Sequence, residues 1–258
     1  MTEAFPVELL FLCGFAFLAG FIDAIVGGGG LIQIPALLVF LPDAAVASVL
    51  GTNKLASIAG TAAAIPQYAK RVEMEWRALL PAVVVAFAFS FLGARSVSLI
   101  DGAIVRPLIL ALLIAVAVYT FIRKDFGSLH APRLSPTKQR WCGAAIGAAL
   151  GFYDGFFGPG TGSFLIVAFV GVFGFDFLTA AASSKVVNTA TNLSALLYFA
   201  STNHILYRVA LPMAACNVLG SIVGARLAIL KGSQFVRTLF LVVVTAFIIR
   251  LAYDVLKG

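Results

Sequence analysis

Long, nearly unbroken apolar stretches alternate with short polar connections along this 258-residue chain. Residues 6–26, 45–69, 77–98 and 104–122, then 141–157, 176–200, 208–229 and 236–254, are each of the length, ~17–25 residues, that crosses a bilayer as a helix. A shorter apolar piece follows the first stretch of each four, Leu31 to Leu41 and Ser163 to Phe173. At ~1.5 Å of rise per residue such a piece falls short of the ~30 Å hydrocarbon core. It is expected to be a half-helix, re-entrant or one part of a broken span. The stretches are continuously apolar, without the alternation of outer-membrane barrel strands. The pattern predicts an all-α polytopic membrane protein.

The two sets of four are copies. At a constant spacing of 131 positions, Gly20-Phe21-x-Asp23 recurs as Gly151-Phe152-x-Asp154, Gly27-x-Gly29 as Gly158-x-Gly160, and Lys54 as Lys185. Ser90 recurs as Ser221, and Gly93-Ala94-Arg95 as Gly224-Ala225-Arg226. The division expected is a first membrane repeat over 1–123, a linker over 124–140 and a second repeat over 141–258. Duplicated membrane halves of this kind put a transport site at the repeat interface.

Composition sharpens this picture. The chain is 61% hydrophobic and only 11% charged, with a mean hydropathy of +1.04, far from the quarter or so of charged residues in soluble domains. The net charge of +7 does not point to nucleic acid, because the basic residues collect in the connections between spans. Arg123, Lys124, Arg133, Lys138 and Arg140 make the linker cytoplasmic under the positive-inside rule. The 70–77 and 226–237 connections then also face inward if the repeats are inverted, which is the arrangement expected, with both termini outside. The first apolar run lacks the basic start and the cleavage site of a signal peptide. The location expected is the bacterial inner membrane, crossed many times, with lipid as a partner and a homodimer as a candidate assembly. Cys13, Cys142 and Cys216 stand alone in apolar stretches and read as packing residues.

Two constellations carry chemistry. Val26-Gly27-Gly28-Gly29-Gly30 and Gly158-Pro159-Gly160-Thr161-Gly162 break the helix inside the membrane, where irregular backbone is tolerated only if buried or lining a wet cavity. The half-helices after them would aim positive N-termini at that cavity, a natural anion site. The second constellation is a buried lysine leading a polar stripe at helical spacing: Lys54, Ser57, Thr61 in one copy and Lys185, Asn188, Asn192 in the other. Thr52, Asn53, Ser183 and Ser184 add polar groups just upstream. A lysine at the bilayer centre costs ~2.5–3.5 kcal/mol, and an opposite charge at ~4 Å returns ~4 kcal/mol at an effective dielectric near 20. That charge is either a bound anion or a resident carboxylate. The resident pairs expected are Asp23–Lys54 and Asp154–Lys185, each within its own repeat. Asp23 and Asp154 are also the candidates for proton coupling. Arg95 and Arg226 are expected to snorkel, and Arg77 and Arg208 to mark the interface. His130 and His204 have no metal-ligand neighbours, so no metal and no cofactor are expected.

The two glycine motifs, Gly51-Thr52-Asn53-Lys54 and the matching Lys185 together resemble the TauE/SafE sulfite-exporter family, also known as the toluene-sulfonate uptake permease family. The resemblance runs from about Phe15 to Leu251. It implies an inner-membrane permease, a secondary carrier, for a small anion such as sulfite, a sulfonate or a related organic acid; export is the direction expected, with proton coupling, if present, carried by Asp23 and Asp154. Pro159 stands where the first repeat has a glycine, so the half-sites should contribute unequally. A passive anion channel is the alternative, since helix ends and lysines also line pores. A membrane-embedded enzyme is disfavoured, because two histidines and scattered acids offer no nucleophile with its base.

Overall fold

The structure is a computed structural model and describes residues 4–100 and 134–257, with side chains over 7–100, 134–236, 238 and 239. The expected span 104–122, most of the linker and His130 lie outside the described residues. The described chain is helical: α1 Ala4–Val26, α2 Gly29–Phe40, α3 Val46–Ala69, α4 Trp76–Ser98, α5 Pro136–Phe156, α6 Thr161–Ala168, α7 Phe177–Ser201 and α8 Tyr207–Lys257. A π-helical turn, Phe169–Phe173, extends α6. The helix α5 starts at Pro136, inside the expected linker, because Ser135 takes the extended N-cap conformation and proline suits the first turn. The non-helical residue Gly232 interrupts α8, between the two stretches expected there.

Among the described residues, Val7–Val26, Trp76–Ser98 and Tyr207–Val236 are long and apolar enough to span a membrane. The helices α3 and α7 have 24 and 25 residues but carry the lysine stripes. They lie at the centre of the molecule, packed on each other and flanked by α8 and α4. The start of α3 meets the end of α7: a Cβ on Gly51 would strike Phe199 and the His204 carbonyl, and Leu206 N–H donates to Thr52 Oγ1 at 3.0 Å. These helices therefore run antiparallel. Arg77, Arg95, Arg208 and Arg226 are all exposed, away from the centre.

The outer packing is exchanged between the halves. The helix α5 packs along α4, and α1 along α8. Gly143, Gly147, Gly151 and Gly155 recur every four residues on α5, facing Ala78, Ala82, Ala86 and Ser90 of α4. A Cβ at any of them would come within 3.0 Å of the α4 backbone. Without water to drive apolar association, such close backbone approach is how membrane helices gain packing energy. Gly220 and Gly224 of α8 meet Phe17 and Phe21 of α1 in the same way. Two hydrogen bonds fix the outer helices to the central pair. Ser90 Oγ donates to Thr191 O at 2.8 Å, and Ser221 Oγ to Gly60 O at 2.6 Å; both partners shift by 131 positions.

The connection before α7 is pinned by Asp176, whose carboxylate accepts from Leu178 N–H, Thr179 N–H, Thr179 Oγ1 and Ser233 Oγ. Burial raises its pKa, but the hydrogen bonds from Thr179, Ser233 and the helix amides outweigh that and hold it below the ordinary 3.8. A depressed folded value means this stabilisation is complete above pH 3.8 and fades as pH falls through the folded value. Asp176→Ala is expected to cost about 1 kcal/mol near neutral pH. The deficit relative to wild type should shrink in acid, as read from melting temperatures of the detergent-purified protein.

Candidate functional site

The helix α1 ends because Gly27 and Gly28 take φ of 66° and 127°, a left-handed conformation that a side chain would strain. Asp23 sits one turn earlier, and its Oδ1 accepts from the Gly28 and Gly29 amides at 3.1 and 3.3 Å. The second loop turns likewise at Gly158 and Gly160, held by Tyr153 Oη, which donates to Pro159 O at 2.6 Å. The loops touch. A Cβ on Gly27 would overlap the Gly162 and Ser163 backbone, and Ser163 Oγ donates to Val26 O at 3.0 Å and also reaches Gly27 O.

Both lysines are buried beside these loops, Lys54 at 2% exposure and Lys185 at 0%. Their partners are crossed. Lys54 Nζ lies 2.8 Å from Asp154 Oδ2 and donates to Asp154 O at 2.6 Å. Lys185 Nζ lies 2.9 Å from Asp23 Oδ2 and also donates to Asp23 O. The expected pairing within each repeat is therefore wrong. The antiparallel α3–α7 pair and the exchanged outer helices set each lysine against the first helix of the other half. Each pair has one carboxylate and one backbone carbonyl around the ammonium, which offsets much of the cost of burying it.

Between the loops and the lysine helices lies a polar cavity lined by Asp23, Gly28, Gly30, Asn53, Lys54, Ser57, Thr61, Asp154, Gly158, Gly160, Thr161, Gly162, Asn188 and Asn192. Its free volume is about 20 Å³, room for one water molecule and little more. Gly27, Gly29, Thr52, Ser183, Ser184 and Lys185, all expected there, do not line it. Gly27 and Gly29 pack against the second loop and against Ala19. Thr52 receives the Leu206 amide, and Ser184 Oγ donates to Ala181 O. Lys185 reaches the site only through Asp23. Inside the cavity, Thr61 Oγ1 donates back to Ser57 O at 3.0 Å, and Asn192 Nδ2 donates to Asn188 Oδ1 at 3.1 Å.

Sequence reading missed four residues that hold this arrangement: Ser163, Tyr153, Gln33 and Asn217. Gln33 is fully buried on α2; its Nε2 donates to Asn53 O at 3.4 Å and its Oε1 accepts from Asn217 Nδ2 at 2.9 Å. A signal was available, since each amide side chain is isolated in an otherwise apolar stretch and needs a partner there.

Helices enclosing a buried, charged cavity between touching glycine loops make a membrane transporter. The chain belongs to the sulfite exporter TauE/SafE family, whose profile matches residues 12–251. It is 37% identical over 248 residues to the "Probable membrane transporter protein ORF9" of a Sinorhizobium species, covering 95% of this chain and 93% of that one. It is 36% identical to a "Probable membrane transporter protein" of Haemophilus influenzae, covering 96% and 95%. A third relative, the "Probable membrane transporter protein YfcA" of Escherichia coli K12, is 32% identical, covering 96% and 91%. These relatives are transporters by name, not enzymes. No solved structure matches the chain significantly.

Proposed function

We propose that this transporter is a multi-pass inner-membrane permease that exports a small anion such as sulfite, a sulfonate or a related organic acid, coupled to protons. The observation that carries the reading is the Lys54 ammonium, desolvated at the wall of a polar cavity between two glycine loops. A cation costly to bury and set where irregular backbone offers amides is suited to a negative cargo. The family description, sulfite exporter, supports the cargo class and the outward direction.

The permease is built from two inverted repeats, 1–123 and 141–258, joined by a cytoplasmic linker over 124–140, each with four full spans and a half-helix. The antiparallel run of α3 and α7 supports this, as do the paired contacts displaced by 131 positions. Alternating access would move one repeat against the other around this site, where the crossed ion pairs join them. With about 20 Å³ free, the cavity must also widen to admit an oxyanion. Two lysines and two aspartates sum to zero charge, so an entering anion leaves a buried negative excess. A proton on Asp23 or Asp154 removes that excess, which links anion and proton movement. A homodimer remains compatible with the exposed apolar surface, which lipid otherwise covers.

The test is counterflow of labelled sulfite, sulfonates and small carboxylates in proteoliposomes. Saturable counterflow that responds to a pH gradient is expected, and Lys54→Ala should lose at least ~100-fold of it, the loss of one well-placed charged contact of ~3 kcal/mol. Anion current that rises linearly with concentration would replace the carrier by a channel. Unchanged counterflow in Lys54→Ala would take that lysine out of the site.

A further inference from the structure

The two half-sites are alike in sequence but not in bonding. Both oxygens of Asp23 are engaged: Oδ2 by Lys185, Oδ1 by the amides of Gly28 and Gly29. Asp154 uses Oδ2 for Lys54, while its Oδ1 accepts no hydrogen bond among the described residues. The cause is covalent. The residue in the place of Gly28 is Pro159, which has no amide hydrogen to donate. The next amide, that of Gly160 just before α6, donates no hydrogen bond among the described residues, and Gly160 is one of the residues lining the cavity. Lys54 lines the cavity too, and Lys185 does not.

We propose that the two ion pairs divide the work: Asp23–Lys185 is a fixed clasp that holds the first glycine loop, and Lys54 with the Gly160 amide receives the anion as the Asp154 carboxylate gives way. This deepens the permease reading and rests on it. An oxyanion beside Lys54 replaces one carboxylate by another acceptor and gains the idle Gly160 N–H. The same event at Lys185 would take the acceptor from two amides of a buried loop, a cost that the Lys54 side does not carry. Exchange therefore belongs to the second half-site. Lys185 is a positioning residue in this scheme, and Lys54 the residue that touches cargo.

The test compares two double variants that remove both charges of a pair and so leave no orphaned ion: Asp23→Leu/Lys185→Met and Asp154→Leu/Lys54→Met. Amide exchange resolved to single residues, melting temperature and counterflow are measured on the full chain. In the wild type without added anion, Gly28 and Gly29 should exchange at least about tenfold more slowly than Gly160. The Asp23/Lys185 variant should lose that protection and melt several degrees lower, or fail to fold. The Asp154/Lys54 variant should keep both and lose counterflow. Adding sulfite or methanesulfonate to the wild type should slow exchange at Gly160 alone. The proposal falls if Gly160 is as protected as Gly28 without anion. It also falls if both double variants melt equally low, or if a folded Asp154/Lys54 variant carries anions at the wild-type rate. A wild type that moves none of these anions overturns the permease reading instead. The contrast in exchange and melting would still decide which pair is the clasp.

Discussion

Gly155→Leu is expected to prevent α5 from seating on α4, so that little protein elutes as a monodisperse peak after extraction. Any side chain at this position starts with a Cβ inside the Ser90 backbone, nearest to its carbonyl oxygen. Backbone cannot rotate away as a side-chain tip can, so the helices must separate. Separation loses the contacts of Gly143, Gly147 and Gly151 along the same stripe. It also strains the Ser90–Thr191 hydrogen bond that ties α4 to the lysine helix α7. The cost should exceed the ~3 kcal/mol typical of overpacked interiors, a large part of a stability of ~5–15 kcal/mol. Gly14→Ala is the matched control. Nothing lies within 4 Å of a Cβ there, and alanine favours the helix by up to ~1 kcal/mol. Yield and melting temperature should be unchanged or better, so that loss in the first variant reads as packing rather than as intolerance of any glycine change.

The second large effect is the energetic signature of the crossed pairs. Removing one partner, as in Lys54→Met or Asp154→Leu, leaves the other charge buried alone, at ~3–5 kcal/mol. Removing both restores neutrality. A double-mutant cycle on unfolding free energy should therefore give a coupling above ~2 kcal/mol for Lys54 with Asp154, and likewise for Lys185 with Asp23. For Lys54 with Asp23, which share no hydrogen bond but line the same cavity, the coupling should be clearly smaller than for either bonded pair. A strong Lys54–Asp23 coupling with none across to Asp154 would mean that each repeat pairs its own charges, and the cavity geometry described above would be wrong.

Much of the molecule is legible in the chain because membrane insertion is a local property. Each stretch is apolar enough or it is not, and the structure bears out the helices at 4–26, 46–69, 76–98 and 177–201 to within a residue or two of their expected ends. The glycine loops and half-helices were equally readable, since a glycine run followed by ~11 apolar residues leaves few options inside a bilayer. So were the polar groups that converge on the site, because a lysine, an aspartate or an asparagine in such a stretch must find company. The displacement of 131 positions marked which residues correspond.

Correspondence does not say who meets whom. Asp23–Lys54 and Asp23–Lys185 satisfy the same charge balance and the same duplication, and nothing local separates a partner 31 positions away from one 162 away. The choice is made by packing. Antiparallel α3 and α7, with α1 seated on α8 and α5 on α4 through their glycine stripes, bring each aspartate to the lysine of the other half. Packing likewise leaves Lys54 at the cavity wall and Lys185 behind Asp23, a difference that two matching sequence motifs cannot express. The sequence alone determined that charges would be buried and that two glycine bends would accompany them. Only the tertiary structure decided which charge answers which, because that depends on the relative placement of helices that are distant along the chain.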